Sequence, residues 1–235
     1  MRITPRRAAV LVWLVALAVA LGGATGAAGD PPGTVSSYYV GRGDPRLCPS
    51  PMCGGVWVRL VNRNATSCGG AFTGPECYVA SVDLSRIRVS EQLRTRLGGL
   101  VAAGLALTRG TIVRGRVQGF PELPTLVVSE MWTASSSPRS PEGPFRVLRD
   151  NGVRCVTTPC FSTHAVRLNS GQHTNISSVD LSRIRATRAE RDHARERIAD
   201  GELIAAGRIV RGSGVGPAGA GRVLVATQFY VKVAS

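Results

Sequence analysis

The feature of this 235-residue chain that most constrains its fold is an internal duplication. Residues 81–115 and 178–212 align without a gap at an offset of 97, and 16 of the 35 positions are identical. The match continues upstream at an offset of 107 and downstream at an offset of 98, with small insertions between. Because similarity at a fixed period indicates repeated structural units, we expect two copies of one fold.

Both copies predict the same order of strands. Segments with alternating apolar and polar residues, or rich in β-branched and aromatic residues, are typical of strands. In the first copy the predicted strands are 38–42, 56–61, 78–84, 111–117 and 125–132. In the second copy they are 145–149, 164–168, 176–181, 208–211 and 222–233.

One helix is predicted between the third and fourth strands of each copy. In the first copy, apolar residues recur at helical spacing between a candidate N-cap, Ser90, and a terminating glycine, Gly104. In the second copy, Thr187 and Glu190 form a capping-box pattern, and Gly201 is predicted to end the helix. We therefore predict an α+β fold of two tandem copies of a β-β-β-α-β-β unit, each an antiparallel sheet with one helix on a face.

The first residues have the features of an export signal. Arg2, Arg6 and Arg7 precede an apolar run of 14 residues and a small-residue stretch that ends at Ala28. This pattern predicts a signal peptide at 1–28 and, after its removal, a secreted or periplasmic protein without a membrane span. The alternative is an uncleaved membrane anchor, although the run is shorter than the about 20 residues that a spanning helix needs.

The other domain boundaries follow the duplication. We predict an N-terminal linker at 29–36, repeat 1 at 37–133, a Ser/Pro linker at 134–144 and repeat 2 at 145–235. The Ser/Pro composition of the second linker is typical of a connector that has no core of its own.

All six cysteines follow the predicted signal peptide, so they would be exported to a compartment where disulfides form. Four of them recur as one pair in each copy, with four residues between the partners, and the other two lie in an insertion that the second copy lacks. Local pairing is the simplest connectivity. It gives three disulfides: Cys48 with Cys53, Cys155 with Cys160, and Cys68 with Cys77.

Two alternatives for the cysteines stay open from the sequence. The four duplicated cysteines could form one zinc site, or a pair could be redox-active. Export to an oxidising space favours disulfides over zinc thiolates. The gap of four residues also differs from the Cys-X-X-Cys spacing of thioredoxin-like motifs.

Few residues suit catalysis. The chain contains three histidines, His164, His173 and His193. His164 follows Cys160 by four residues, a spacing compatible with a Cys-His pair, but the aligned residue of the first copy is Trp57. The sequence lacks a paired-histidine metalloprotease motif, a phosphate-binding glycine loop and a nucleophile elbow. We predict no catalytic, cofactor-binding or metal-binding residues, and therefore no enzyme.

The chain is strongly basic. Without the three leader arginines, 26 basic residues stand against 15 acidic ones, a net charge of about +11. Such a charge attracts anionic polymers at low salt. Because the arginines are dispersed and only Lys232 is a lysine, we interpret the excess as a coding bias, with a polyanion site as the alternative. We predict no specific nucleic-acid binding.

Two cysteine-containing segments resemble those of a known family. They read DPRLCPSPMCGG at 44–55, shortly after Tyr-Tyr-Val, and DNGVRCVTTPCFS at 150–162. Over nearly the whole chain after the signal peptide, the sequence resembles an uncharacterised family of exported bacterial proteins, a domain of unknown function. The resemblance implies an envelope or secreted bacterial protein, and it brings no catalytic residues with it.

These observations predict a disulfide-stabilised binding or structural module of the bacterial cell envelope. Its partner is not identified by the sequence; an envelope protein and an anionic polymer are the candidates. An alternative from another functional class is a secreted peptidase inhibitor that presents the Cys48–Cys53 loop, because a stiff tethered loop can enter an active-site cleft. An enzyme of unfamiliar type is a third hypothesis.

Overall fold

The computed structural model describes residues 36–70, 72–136 and 140–234. The predicted signal peptide lies outside these residues, and so does the predicted N-terminal linker apart from Ser36. None of the described helices has the length and apolar character that a membrane crossing requires.

The elements follow the same order in both copies. The first copy contains β1 (Ser37–Gly43), β2 (Val56–Leu60), β3 (Thr66–Ser67), β4 (Thr73–Gly74), β5 (Cys77–Val79), β6 (Ser81–Asp83), α1 (Glu91–Ala102), β7 (Ala106–Val117) and β8 (Phe120–Ala134). The second copy contains β9 (Phe145–Asp150), β10 (Thr163–Arg167), β11 (His173–Ile176), β12 (Ser178–Asp180), α2 (Arg188–Glu196), β13 (Leu203–Gly216) and β14 (Gly219–Lys232).

The strands of the first copy pair in a closed ring. β1 pairs with β2 and β7, β2 with β5, and β7 with β8, all antiparallel. β6 lies parallel to β8. Because only Ala80 separates β5 from β6, the series of pairs returns to its start and forms a small barrel. The hairpin of β3 and β4 belongs to the insertion.

The second copy repeats this ring. β9 pairs with β10 and β13, β10 with β11, and β13 with β14, all antiparallel, and β12 lies parallel to β14. The fold is thus α+β, a mostly antiparallel sheet with two helices. The prediction of a purely antiparallel sheet in each copy needs correction, since each ring contains one parallel pair.

The third predicted strand of each copy is two strands in the structure. Between β5 and β6, the amide of Ala80 donates to the carbonyl of Pro124 at 2.8 Å; between β11 and β12, the amide of Ser177 donates to that of Arg222, also at 2.8 Å. At these residues the chain leaves its antiparallel partner and joins its parallel one. The change depends on strands distant in sequence, so the local apolar pattern did not predict it.

The last two strands of each copy are longer than predicted. In the second copy the glycine-rich segment 212–221 is largely strand, and its turn consists of Pro217 and Ala218. Gly216 permits this course, because a Cβ there would lie 2.1 Å from the carbonyl oxygen of Thr158. Glycine thus allows the hairpin to approach the Cys155–Cys160 loop closely.

Both helices begin where the sequence predicts. The Ser90 side chain caps α1, and Thr187 and Glu190 form the capping box of α2. Past each helix the backbone reverses at a glycine in the left-handed region, with φ of +73° at Gly104 and +70° at Gly201. Glycine adopts this conformation without the steric cost that other residues incur. Gly104 lies two residues after α1, as predicted, but α2 ends at Glu196, five residues before the predicted Gly201.

The described ends of the predicted Ser/Pro linker contact the second copy. The amide of Ser136 donates to Glu190 at 2.9 Å, and the amide of Glu142 donates to the hydroxyl of Thr227 at 2.9 Å. Hydrogen bonds from Ser136 and Thr187 lower the pKa of Glu190 to about 2. The linker is therefore attached at both ends, to α2 and to β14.

The buried apolar residues form three cores, one inside each ring and one between the copies. The first lies inside the first ring beneath Leu97 and Val101 of α1, and the second lies inside the second ring beneath Ala194 of α2. The third lies between the copies, on the outer faces of the strands. It contains Val40, Val61, Leu107, Trp132, Phe145, Val147, Leu168, Ile204, Ala206 and Tyr230.

The two rings join in one sheet through β8 and β14. Thr133 pairs with Val231, Trp132 with Lys232, and Ala134 with Tyr230. Because Trp132 aligns with Tyr230 and Ala134 with Lys232 in the duplication, this register is symmetric about the Thr133–Val231 pair. The copies are thus arranged like the subunits of a two-fold dimer with an isologous interface.

Two asparagines at equivalent positions connect the copies. Asn62 donates to the carbonyl of Phe145 at 2.8 Å and accepts from its amide at 2.9 Å. Asn169 makes the same pair of bonds to Tyr38, at 2.8 and 2.9 Å, and each asparagine donates to one further carbonyl of the other copy. Their φ values of +59° and +56° lie in the left-handed region, where asparagine is enriched.

We expect Asn169→Gly to lower the free energy of unfolding by about 2 kcal/mol, because half-buried backbone groups of the first copy lose their partner. Glycine accepts the left-handed backbone, so the loss measures the hydrogen bonds rather than strain. Urea unfolding would check this. Gln118→Gly, at a hairpin turn with φ of +48°, is the matched control and should change stability by less than about 0.5 kcal/mol. Equal effects of the two changes would contradict the proposed role of Asn169.

Candidate functional site

The six cysteines form three disulfides. Cys48 is bonded to Cys53, Cys68 to Cys77, and Cys155 to Cys160, with Cα–Cα distances of 5.4, 5.3 and 5.6 Å. These are the pairs that the spacing favours, and the distances are usual for disulfides. No cysteine of the described chain is free. Zinc ligation and a Cys160–His164 catalytic pair both need thiolates, which these bonds remove.

The disulfides occupy two kinds of environment. Cys68 and Cys77 are buried in the first core, at 3% and 1% exposure, and they connect the insertion to β5. The duplicated pairs instead close surface loops: Cys48 and Cys155 are exposed and Cys160 is half-buried, whereas Cys53 is buried at 1% and anchors its loop. The buried pair therefore belongs to the core, whereas the duplicated pairs shape the surface.

The first cysteine loop, residues 44–55, is fixed from its inner side by Arg46. The Arg46 guanidinium lies 4.6 Å from the centroid of the Tyr78 ring and 5.3 Å from that of Trp57. These aromatic residues are cross-strand neighbours on β2 and β5. Arg46 also donates to the carbonyl of Met52 at 2.9 Å. A guanidinium over aromatic rings is a favourable cation–π contact, so the strands hold the loop.

Asp44 completes this arrangement. Its carboxylate accepts three hydrogen bonds from the Arg46 guanidinium, at 2.9, 3.1 and 2.9 Å, and one from the Arg46 amide at 3.2 Å. The indole nitrogen of Trp57 donates a further one at 3.2 Å. The Asp44 side chain has no exposed surface. The hydrogen bonds from Arg46 hold the pKa of Asp44 well below its usual range, although removal from water acts in the opposite direction. The carboxylate is therefore ionised at neutral pH.

Tyr78 supports the far end of the loop. Its hydroxyl donates to the carbonyl of Pro51 at 2.7 Å and accepts from the amide of Gly55 at 3.3 Å. Next to it, Arg42 forms a bidentate ion pair with Glu76, with its shortest contact at 2.6 Å. These bonds and the Cys48–Cys53 disulfide leave the loop little freedom to move.

The outer side of the loop is apolar and exposed. Leu47 is fully exposed at 103%, and Met52 is 52% exposed. The hydroxyl of Ser50 donates to Gln118 at 3.3 Å, so the turn between β7 and β8 lies against the loop. Phe120, just beyond this turn, is 46% exposed. Together the first cysteine loop and this turn form what we call the first platform, a rigid surface with exposed apolar side chains.

The second cysteine loop, residues 150–162, has no equivalent of Arg46, whose aligned residue is Val153. It also lacks the aromatic pair, because His164 and Asn175 stand at the aligned positions. Its Asp150 is paired with Arg154 at 2.6 Å, and the hydrogen bonds from Arg154 lower the pKa of Asp150 to about 2. Val156 is fully exposed at 104%. The loop rests on the β13–β14 hairpin at Gly216. Both copies therefore place a cysteine loop against a hairpin turn, but only the first has the Arg46 support.

Two of the three histidines contact each other. His164 and His173 stack on neighbouring strands with ring centroids 4.8 Å apart. His193 is exposed on α2, 3.7 Å from Glu196. Within the described ranges, three or more side chains suitable for a metal do not come together.

Sequence reasoning missed Arg46, Trp57 and Tyr78. A signal was present: in a chain with only 5% aromatic residues, Trp57 and Tyr78 are aromatic in the first copy alone, since the second copy has His164 and Asn175 at the aligned positions. A difference of this kind between otherwise similar copies indicates a local specialisation.

We expect Asp44→Asn to lower the melting temperature at neutral pH, because Arg46 loses its ionic partner. The pKa of Asp44 is depressed in the folded state, so its contribution is complete above the unfolded value of about 3.9 and is lost as the pH falls further. Thermal unfolding between pH 7 and pH 2 should show the difference from wild type shrinking below about pH 4.

The matched control is Asp192→Asn on the exposed surface of α2, where the difference should stay small at every pH. A wild-type advantage over Asp44→Asn that persists unchanged in acid would rule out this ion pair as the support of the loop.

Neither a curated protein nor a solved structure matches the chain. A family model described as Domain of unknown function (DUF6748) matches residues 37–235, a range that contains both copies and all three disulfides. The chain belongs to this family of unknown function.

Proposed function

We propose that this protein is an exported, non-catalytic binding module of the bacterial cell envelope, and that its first platform docks a partner protein. The observation that carries the proposal is the full exposure of the apolar Leu47 side chain. This side chain lies on a loop whose inner side is fixed by a disulfide, by Arg46 and by Tyr78. Three disulfides are typical of an oxidising, extracytoplasmic compartment.

The order of strands supports a binding role. Each ring has five strands in chain order if the two halves of the divided third strand are counted as one. Neighbouring strands in the ring then follow the order 1-2-3-5-4 and return to strand 1. The helix follows strand 3, and strands 3 and 5 are parallel. OB-type barrels share this order and bind ligands beside the loops that follow their first and fourth strands. In this chain those loops are the cysteine loop and the hairpin turn, which touch in both copies. The support is an analogy of fold, because one fold hosts many functions.

The surface chemistry favours a protein as the partner. Sugars and nucleotide bases stack on open aromatic rings, but Arg46 lies over both Trp57 and Tyr78. The accessible side chains are the aliphatic Leu47 and Met52 together with one aromatic ring, Phe120, a mainly aliphatic set that suits an apolar pocket of a protein. Burying one such side chain contributes about 1.5–3 kcal/mol, and a loop that is already ordered loses little entropy on docking.

A peptidase inhibitor is the second candidate, and the shape of the loop favours it. A single fully exposed leucine next to a disulfide-bonded cysteine fits a cleft that accepts one anchor side chain, as in interfaces dominated by a central residue. In this case the docked partner would be a secreted peptidase.

We expect Leu47→Asp to weaken partner binding at least about tenfold without changing the melting temperature, because the side chain is fully exposed. A photo-crosslinking residue at position 47 in the producing cell would identify the partner. Binding of the purified pair, and inhibition of a panel of secreted peptidases, would then be measured with wild type and variant.

The matched control is Val156→Asp, which places the same charge at an equally exposed position of the second cysteine loop and should leave binding intact. Inhibition that depends on Leu47 would support the second candidate. An absence of any adduct from position 47 together with an absence of inhibition would remove both candidates.

A further inference from the structure

A second surface, the inter-copy groove, lies between the two copies. It is a cavity of about 650 Å³ lined by the start of β1, the end of β2, Arg109 of β7, the strands β9 and β10, and the turn after β10. Its charged and aromatic lining residues are Tyr38, Arg63, Arg109, Arg149 and Arg167, with Val147 and Val166 among the apolar ones. The volume falls within the range of small-molecule sites.

The groove has an excess of positive charge. No aspartate or glutamate lines it. Arg109 is paired with Glu130 at 2.7 Å, but Glu130 is shared with Lys232 at 2.5 Å. Arg63, Arg149 and Arg167 form no ion pair with any described residue. Four arginines therefore line the groove. Arg109 shares one carboxylate with Lys232, and the other three have no ionic partner in the described chain.

Two of the groove arginines, Arg63 and Arg109, are held in place by other residues of the chain. The Nε of Arg63 donates to the carbonyl of Asn169 at 2.7 Å, which leaves its two terminal nitrogens for a ligand. Arg109 lies over the Tyr38 ring at 5.6 Å from its centroid, and its side chain is 42% exposed. Guanidinium groups fixed in this way bind carboxylate and phosphate oxygens through two parallel hydrogen bonds.

The duplication supplies an internal comparison. On the opposite side of the pseudo-two-fold axis, Phe145 takes the place of Tyr38, Ala206 that of Arg109, and Gln228 that of Glu130. All three are buried, at 5%, 0% and 0% exposure. At these three positions the opposite side is closed and uncharged, whereas the groove side carries Arg109 and Glu130. Packing of the copies does not require this charged pair, because the equivalent positions pack without charges.

We propose that the inter-copy groove binds a small polyanion, a molecule with two or more phosphate or carboxylate groups close together. Arg63, Arg109 and Arg149 contact the oxyanions, and Tyr38 and the apolar lining contact the body of the ligand. The site is independent of the first platform, so it stands or falls separately from the proposed docking of a protein partner.

The test is calorimetric titration of the purified, oxidised protein near physiological salt with tripolyphosphate and, separately, with citrate. The two titrations distinguish a phosphate ligand from a carboxylate ligand. We expect wild type to bind one of them, and Arg63→Gln combined with Arg149→Gln to weaken that binding at least about tenfold. The matched control, Arg208→Gln combined with Arg211→Gln on β13, removes the same two charges from exposed positions outside the groove lining and should alter the binding less than about twofold.

Each outcome decides the proposal. A loss in the groove double variant with retention in the double variant of Arg208 and Arg211 supports it. Equal losses in both would show that binding depends only on net charge, and an absence of binding by wild type would overturn the proposal outright. If the glutamine double variant unfolds, the Arg63→Lys and Arg149→Lys pair replaces it. Lysine keeps the charge but loses the paired donors, so undiminished affinity in that pair would also count against the site.

Discussion

The apolar core between the two copies is the contact on which the rest of the structure depends. It buries Trp132, Phe145 and Tyr230 from both halves of the duplication. Aromatic side chains of this size dominate the energetics of interiors and interfaces. At the border of this core, β8 pairs with β14, and Asn62 and Asn169 form hydrogen bonds with the other copy. These contacts fix the relative position of the barrels and therefore the width of the groove between them.

The near-symmetry of this interface explains where function can arise. Most interior positions are apolar in both rings, although the buried Cys68–Cys77 disulfide occurs in the first ring alone. The differences that bear on the two proposed sites lie on the surface: Arg46 and its aromatic partners occur in the first copy alone, and the basic groove opens on one side of the axis. In physical terms, one copy can keep the packing while the other acquires charge, exposed apolar groups and a supported loop.

Local features of the fold could be predicted from the sequence, and long-range ones could not. Ser90, Thr187 and the glycines after the helices act within one helical turn, so their signals are readable in the sequence. The pairing of the cysteines is similarly local, with separations of 5, 9 and 5 residues. In contrast, the division of the third strand at Ala80, the closure of each ring and the joining of the copies depend on which strands meet, and periodicity defines the faces of a strand but not its partners. For the candidate site, the cysteine loop was predicted, but the Arg46 contacts that fix it come from residues up to 32 positions apart.

The central claim is that the two copies share one core and therefore form one cooperative unit. Differential scanning calorimetry of the oxidised protein tests it most directly, through the ratio of the calorimetric to the van't Hoff enthalpy of unfolding. The account predicts one transition with a ratio close to one. Two transitions, or a ratio near two, would mean that each copy unfolds by itself and would contradict the account.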